Sequence, residues 1–391
     1  MIDYINSLDR KGLLILGKKV KAPGYLTEFT EPYVDEEELK KLIIENVSDN
    51  KVKKKIKSKK ASSPKKHIQH KRSAKKGREE PNIDFKVTNI KSYYPLPDGA
   101  KLVAIGDLHG DFEVLLAAFL KAKLIDKNDN WIGGDTYVVQ LGDILDRGGR
   151  GSSVETNENE ELYILKFLEE MDNKAKENGG RVLCVIGNHE LMNLMSDFRY
   201  TTDNTRRMFD IVGSPHTRET LFKPGGILAN KIACMAFGII KVNDWIFVHA
   251  GLLPEHLKNT KSINEKFKKI NNLVKDIFTG TRTQKELSNE EHNLIFGSQG
   301  IFWTREFSKQ DFQCNDIDKI ANSFTPMKLK KGGIIVGHTP QQGIDYKCNK
   351  RIWFVDNAMS KAFGDKENPS DRVQILEISY KNKKEVIKVI K

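Results

Sequence analysis

Leu102-Val103-Ala104-Ile105-Gly106-Asp107-Leu108-His109-Gly110-Asp111 opens the part of the chain that decides its fold. The four apolar residues read as a strand buried on both faces, and the polar cluster that follows reads as the turn at its carboxyl end. Working outward, the pattern repeats. Tyr137–Leu141 (YVVQL) runs into Gly142-Asp143-Ile144-Leu145-Asp146-Arg147-Gly148, and Arg181–Ile186 (RVLCVI) runs into Gly187-Asn188-His189-Glu190. Later, Trp245–Val248 (WIFV) precedes His249-Ala250-Gly251, Ile334–Val336 (IIV) precedes Gly337-His338-Thr339, and Ile352–Val355 (IWFV) precedes Asp356. Between the first three runs, Asp111–Leu124 and Glu158–Glu177 carry apolar residues at helical spacing. The fold class is therefore α/β, beginning with a βαβαβ unit.

In an α/β sheet the carboxyl ends of neighbouring strands converge on one crevice. Five segments would thus bring carboxylate, imidazole and amide groups to one place. Asp107 and His109 stand two apart, so on an extended segment both can face one metal, and the adjacent glycines let the backbone turn and approach closely. Hard oxygen and borderline nitrogen without thiolate suit Mn, Fe, Zn or Co better than Ca or a structural zinc. Two metals need a shared ligand, and Asp143 is the natural bridge. A pair about 3.5–4 Å apart can hold a hydroxide and grip both oxygens of an in-line displacement at phosphorus. Any one Gly-Asp after an apolar run is ordinarily a turn, and a lone His249 or His338 is ordinarily a satisfied buried histidine. The conjunction of five such clusters points instead to phosphoester hydrolysis.

Charge tells a separate story. The 391 residues carry a net +12, which invites a nucleic-acid reading. Residues 51–78 hold 12 Lys and 2 Arg with no acid, and the other 363 residues sum to −2. The basic character is local, and with like-charge repulsion and few large apolar residues this segment is expected to be disordered. The expected organisation is an extension over 1–50 with one short helix at Asp35–Val47, a basic linker over 51–80, and a catalytic domain over 81–391. The linker could serve nuclear import or dock nucleic acid or an acidic partner, although no aromatic residue interleaves its lysines as in single-strand binders. No run reaches the ~18–20 apolar residues of a membrane span, and the amino terminus lacks a secretory pattern. Cys184, Cys234, Cys314 and Cys348 form no CxxC or finger spacing and read as reduced thiols of a cytoplasmic or nuclear protein.

The clusters GD-x-HG, GD-x-x-DRG, GNHE, HAG and GH resemble the signatures of the metal-dependent phosphoprotein phosphatases, of calcineurin-like fold. LMNLMSDFRYTT after GNHE, FKPGGILANKIA, VHAGLLPEH and FVDNAMSKAFG resemble the Shewanella-like branch, so the likeness spans about Leu102–Gly364. The resemblance implies a β-sandwich flanked by helices with a dinuclear metal site at the strand ends. It implies Asp107, His109 and Asp143 on one metal, and Asp143, Asn188, His249 and His338 on the other. His189 would protonate the leaving oxygen with Asp146 hydrogen-bonded to it, and Arg147 would bind phosphate. A W-x-R segment supplies a second phosphate-facing arginine in that branch, here Arg305.

The reaction implied is dephosphorylation of phospho-Ser/Thr or phospho-Tyr residues. A dinucleoside tetraphosphate or RNA-cap hydrolase shares the five motifs. An inactive protein tethered to nucleic acid by its basic segment is the reading from another class, and the intact Asp146/His189 pair argues against it. Two departures stand out: His-Ala-Gly replaces His-Gly-Gly, and Ala358 stands where a glycine would be expected in D-x-G-x-S. Substrate selection is expected between Arg199 and Cys234, where Arg206-Arg207 reads as an exposed charged face.

Overall fold

In the computed structural model the described residues are 91–155, 160–207, 217–258, 262–315, 320, 332–364, 368–381 and 384–391. The helix expected at Asp35–Val47, the basic segment and residues 81–90 lie outside them.

The apolar runs become strands. The strands are β1 (Tyr93–Tyr94), β2 (Leu102–Ile105), β3 (Tyr137–Gln140), β4 (Arg181–Val185), β5 (Ala236–Phe237), β6 (Ile239–Val242), β7 (Trp245–Val248), β8 (Gly333–Val336), β9 (Asp345–Lys347), β10 (Ile352–Phe354), β11 (Ile375–Lys381) and β12 (Lys384–Ile390). They form two six-stranded sheets, ordered β1-β6-β7-β8-β10-β9 and β12-β11-β2-β3-β4-β5. In the second, β2, β3 and β4 are parallel neighbours, with Val103 opposite Val138 and Val138 opposite Val182. The βαβαβ reading of the sequence is what the structure contains.

One apolar cluster lies where the sheets face each other. Leu102, Ala104, Val139, Leu141 and Leu183 of one sheet meet Ile240, Trp245, Phe247, Ile335 and Trp353 of the other. Side chains alternate along a strand, so Val103 and Ile105 point to the opposite face, and both are fully buried there. Burial on both faces is why these strands read as unbroken apolar runs.

Helix α1 (Phe112–Lys121) starts at Asp111, whose carboxylate caps Val114 N–H, and ends with Lys121 in its last turn, both as the helix dipole prefers. It buries Val114, Leu115, Ala118 and Phe119. Helix α2 (Glu160–Glu177) buries Leu162, Leu165 and Leu168 on one stripe and packs on β4. Then follow α3 (Asn188–Leu194), α4 (Asp203–Arg207), α5 (Arg218–Phe222), α6 (Ile227–Met235), α7 (Ile263–Phe278), α8 (Asn289–Phe296) and α9 (Pro369–Arg372). These described residues belong to one compact unit.

The cysteine reading needs correction. Cys314 and Cys348 are joined in a disulfide across 34 residues, while Cys184 and Cys234 are free. The pairing comes from tertiary proximity: the turn between β9 and β10 meets the segment after Arg305, a neighbourhood that no local spacing encodes. Disulfides belong to oxidising environments, which weakens the thiol-based argument for the cytosol. Among the described residues no helix is long and apolar enough to cross a membrane.

Candidate metal centre

Every strand that ends in a polar cluster delivers it to the same edge. Asp107 and His109 follow β2, Asp143 follows β3, and Asn188 and His189 open α3 directly after β4. His249 follows β7, His338 follows β8 and Asp356 follows β10, so the site straddles the seam of the two sheets. Close approach demands the glycines. A Cβ on Gly106 would strike the Val355 carbonyl, and one on Gly187 would strike the Asp143 carboxylate. His109, Asp143, Asp146 and His338 all hold positive φ, at 44°, 50°, 73° and 65°. Such conformations cost on the order of 1–3 kcal/mol each and persist where surrounding structure imposes them.

Two sets of potential ligand atoms lie within 4.8 Å of one another: His109, Asp143 and His189, and Asp143, His249 and His338. Asp143 belongs to both. Its carboxylate is 3.9 Å from His109 Nε2, 3.9 Å from His189 Nε2 and 3.4 Å from His249 Nε2. Asn188 Oδ1 joins the second set, 2.9 Å from His249 Nε2 and 2.8 Å from His338 Nδ1. Asp107 reaches across the seam to accept the His338 N–H at 3.0 Å.

Backbone carbonyls select the imidazole tautomers. His249 Nδ1 donates to Leu141 O at 2.7 Å and His109 Nδ1 to Leu145 O at 3.2 Å, leaving each Nε2 lone pair for the site. His338 Nε2 donates to Trp303 O, which turns its Nδ1 inward. Burial and then the charges of Arg150 and His189 push His109 well below its ordinary pKa. Burial with His249 and Arg305 takes His338 down to about 3. Both are neutral, the form that binds metal.

The carboxylates test whether cations fit. Asp107, Asp143, Glu190 and Asp356 are all nearly inaccessible, at 1–2% exposure. Burial, then Asp356 and Asp143, drive Asp107 well above the usual carboxyl range, and burial with Asp143 takes Glu190 to about 7. Asp356 rises to about 6, chiefly through burial, although Ala358 N–H donates to it. Burial opposes ionisation of Asp143 too, yet His249 and His189 hold it well below its ordinary value. Asp107 Oδ1 is buried with no hydrogen-bond partner. Asp107 itself falls outside both close groups, yet four crowded acids, one with an orphaned buried oxygen, beside neutral imidazoles are a donor set suited to metal cations.

His189 sits at the rim of the first set. Its Nδ1 is 2.8 Å from Asp146 Oδ2, a fully buried carboxylate. Burial alone would lower the His189 pKa, but Asp143 and Asp146 overcome it and raise it. Asp146 is held in turn by Asn193 Nδ2 at 3.0 Å and by Arg218 Nη2 at 3.2 Å, and Arg218 pairs with Glu161 at 2.7 Å. Glu190, quoted in GNHE without a role, accepts four backbone N–H groups, from Gly187, Asp143, Ile144 and Leu145, and so locks the β3 and β4 turns together.

The two arginines expected at phosphate fare differently. Arg147 is 3% exposed and turned away: Nη2 donates to Gly110 O at 2.5 Å, pairs with Glu160 at 2.6 Å and lies 3.8 Å from Asp111. That geometry does not offer it to a substrate, because its charge is already committed to two acids. Arg305 is exposed beside the second set, its Nη1 3.4 Å from Thr339 Oγ1. Arg150, which the sequence reading passed over, enters the site in place of Arg147, with Nη2 3.3 Å from His109 Nε2 and His189 Nε2. Arg206 and Arg207 are exposed, as their charge pattern suggested.

A seam-spanning acid and imidazole cluster between two mixed sheets defines a metallophosphoesterase. The chain belongs to the calcineurin-like phosphoesterase family, whose model matches residues 100–351, and it is a phosphoester hydrolase with a dinuclear metal centre. More particularly, its relatives are Shewanella-like protein phosphatases. It is 33% identical to Shewanella-like protein phosphatase 2 of Arabidopsis thaliana, over 68% of this chain and 73% of that one. It is 30% identical to Shewanella-like protein phosphatase 1 of Plasmodium berghei, over 69% and 71%. The fold matches that of a cold-active protein-tyrosine phosphatase from a psychrophilic Shewanella, with a TM-score of 0.61 and 23% identity over 77% of this chain and 83% of that one.

Proposed function

We propose that this hydrolase removes phosphate from phosphorylated side chains of proteins, with His189 as the proton donor to the leaving oxygen. The observation that carries this reading is the His189–Asp146 pair poised beside two ligand sets that share Asp143. Asp107, His109, Asp143, Asn188, His249 and His338 would hold two metals, Mn, Fe or Zn by their oxygen and nitrogen donors, and these would supply Lewis-acid activation of water and of the phosphoryl oxygens.

Asp146 keeps the His189 Nδ1 proton in place, so the proton delivered is the one on Nε2, the nitrogen facing Asp143 and the site. Asp143 and Asp146 raise its basicity against the effect of burial, which favours the charged imidazole that gives the departing oxygen its proton as the P–O bond breaks. Arg305 lies on the other side, beside His338, where it can meet phosphoryl oxygen.

Phosphotyrosine, phosphoserine and diadenosine tetraphosphate should be assayed side by side with Mn. Release of phosphate from a phosphopeptide, lost with Asp143→Asn and reduced about 10²–10⁴-fold with His189→Ala, is expected. A metal-loaded wild type that hydrolyses only the dinucleotide would overturn the protein-phosphatase reading.

A further inference from the structure

We infer that Arg218 is a positioning residue for proton transfer: with Asn193 and Glu161, its guanidinium sets the plane of the Asp146 carboxylate and, through it, the direction of the His189 imidazole. The inference deepens the reading of His189 as proton donor and rests on it.

A single hydrogen bond between Asp146 and His189 would leave the imidazole free to swing, because each side chain rotates about its own bonds. Proton delivery tolerates little of this, since a displacement of about 1 Å can slow a reaction on the order of 10²-fold. Direction must therefore be imposed from behind Asp146. Both of its carboxylate oxygens are engaged. Oδ2 accepts from His189 Nδ1 at 2.8 Å, Oδ1 accepts from Arg218 Nη2 at 3.2 Å, and Asn193 Nδ2 lies 3.0 Å from each. Donors on both oxygens fix the plane of the group as well as its place.

Each partner is held in turn. Asn193 is fully buried; its Nδ2 also reaches His189 O at 2.9 Å, and its Oδ1 accepts from Arg218 Nε at 2.8 Å. One amide thus joins the backbone of the proton donor, the carboxylate behind it and the arginine. Glu161, on α2, accepts from Arg218 Nη1 at 2.7 Å and Nη2 at 3.3 Å, and from the Asp146 N–H at 2.8 Å. It therefore grips both sides of the contact between Arg218 and Asp146. The Phe222 ring centroid lies 4.9 Å from the central carbon of the guanidinium, against one face of the fork.

Charge balance alone does not call for this arrangement. A lysine ammonium could neutralise the two acids, but it is a point charge and cannot donate from three nitrogens of one plane to Asn193, Asp146 and Glu161. Glu190 offers a contrast: it accepts backbone N–H groups and shapes turns, whereas the Arg218 contacts end on the side chain that touches the proton donor.

The test compares two aryl phosphates on the metal-loaded full chain. A phenol such as tyrosine has a pKa of about 10, so phenyl phosphate needs a proton on its leaving oxygen, whereas dinitrophenolate departs without one. Arg218→Lys keeps the charge and loses the fork. It is expected to lower kcat for phenyl phosphate about 10- to 100-fold and kcat for dinitrophenyl phosphate less than about threefold, with KM unchanged for both. Asn193→Ser, too short to bridge Asp146 and Arg218, should show the same selectivity. Added to His189→Ala, Arg218→Lys should cost nothing further with phenyl phosphate, because it acts through that ring. The Nδ1 proton resonance of His189, assigned by its loss in His189→Ala, should broaden in both positioning variants. Equal losses on the two esters, additive losses in the double variant, or unchanged turnover of phenyl phosphate in both positioning variants would overturn the inference and leave Arg218 a purely structural group. A wild type that hydrolyses neither ester would instead sink the phosphatase reading, and a His189→Ala variant indifferent to the leaving group would sink His189 as proton donor.

Discussion

Arg218→Met should be among the most destabilising single changes in the catalytic unit, although Arg218 touches no ligand of the metal centre. Its side chain is 2% exposed and spans three partners: Nε donates to Asn193 Oδ1 at 2.8 Å, Nη1 to Glu161 at 2.7 Å and Nη2 to Asp146 at 3.2 Å. With His189 protonated, two cations and two carboxylates balance in this buried network. Removing one cation leaves a buried carboxylate uncompensated, at about 3–5 kcal/mol. Against a total stability of roughly 5–15 kcal/mol this is a large fraction, and at about 2–4 °C per kcal/mol it moves Tm by on the order of 10 °C. Urea unfolding of the metal-loaded protein measures it directly. The companion variant Arg218→Met/Glu161→Gln keeps an oxygen for the Asp146 N–H, which Glu161 accepts at 2.8 Å, while deleting the stranded charge. It should recover at least about 1 kcal/mol. A loss under about 1 kcal/mol in the single variant, or no recovery in the double, would refute the view that charge balance holds this network.

Other outcomes follow from the same structure. Cys314→Ser/Cys348→Ser, or reduction of the wild type, should cost about 3–4 kcal/mol by the chain-entropy relation for a 34-residue separation; an unchanged Tm under reductant would contradict a stabilising crosslink. Asp172 accepts from Arg181 at 2.8 Å and is 2.7 Å from Lys176 Nζ; against the opposing effect of burial, these partners hold its carboxyl below the ordinary value. Its stabilisation is therefore present above the unfolded value of about 3.9 and is lost as pH falls through the lower folded one. The Tm gap between wild type and Asp172→Asn should shrink below about pH 4, and a pH-independent gap would count against the pair. Asp107→Asn should raise the Tm of chelated protein, by relieving repulsion from Asp143 and Asp356, and should weaken metal binding; calorimetry of the chelated variant showing a lower Tm would sink the crowded-acid account.

How much of this was written in the residues depends on the range of each interaction. Strands β2, β3, β4, β7, β8 and β10 were legible because burial on both faces makes them largely apolar runs that end in glycine, histidine or, for β10, aspartate. The β11–β12 hairpin was not: β11 alternates Leu376, Ile378 and Tyr380 with Glu377, Ser379 and Lys381, so it is no unbroken apolar run and no glycine or histidine cluster follows it, and Lys384, Glu385 and Lys388 break up its partner. Metal-site candidates were legible because each lies within four residues of a strand end. The different placement of Arg147 and Arg150 was not, since it depends on partners distant in sequence: Asp111 and Glu160 for Arg147, His109 and His189 for Arg150. Arg218 was invisible for a different reason: its contact with Asp146 spans 72 residues. Ala358 shows the converse. Its φ of 50° is the left-handed conformation that the sequence comparison had led us to expect at a glycine position.

The seam between the sheets also dictates when the centre can exist during synthesis. Asp107 and His338 meet across 231 residues, and the sheet that carries Asp107 also contains β11 and β12, which follow β10 in the sequence. A ribosome-bound chain that has released β2, β3 and β4 holds four of the six candidate ligands but neither His249 nor His338. Hydrolytic competence therefore waits until β8 has joined its sheet and brought His338 to the seam, rather than accumulating as ligands emerge.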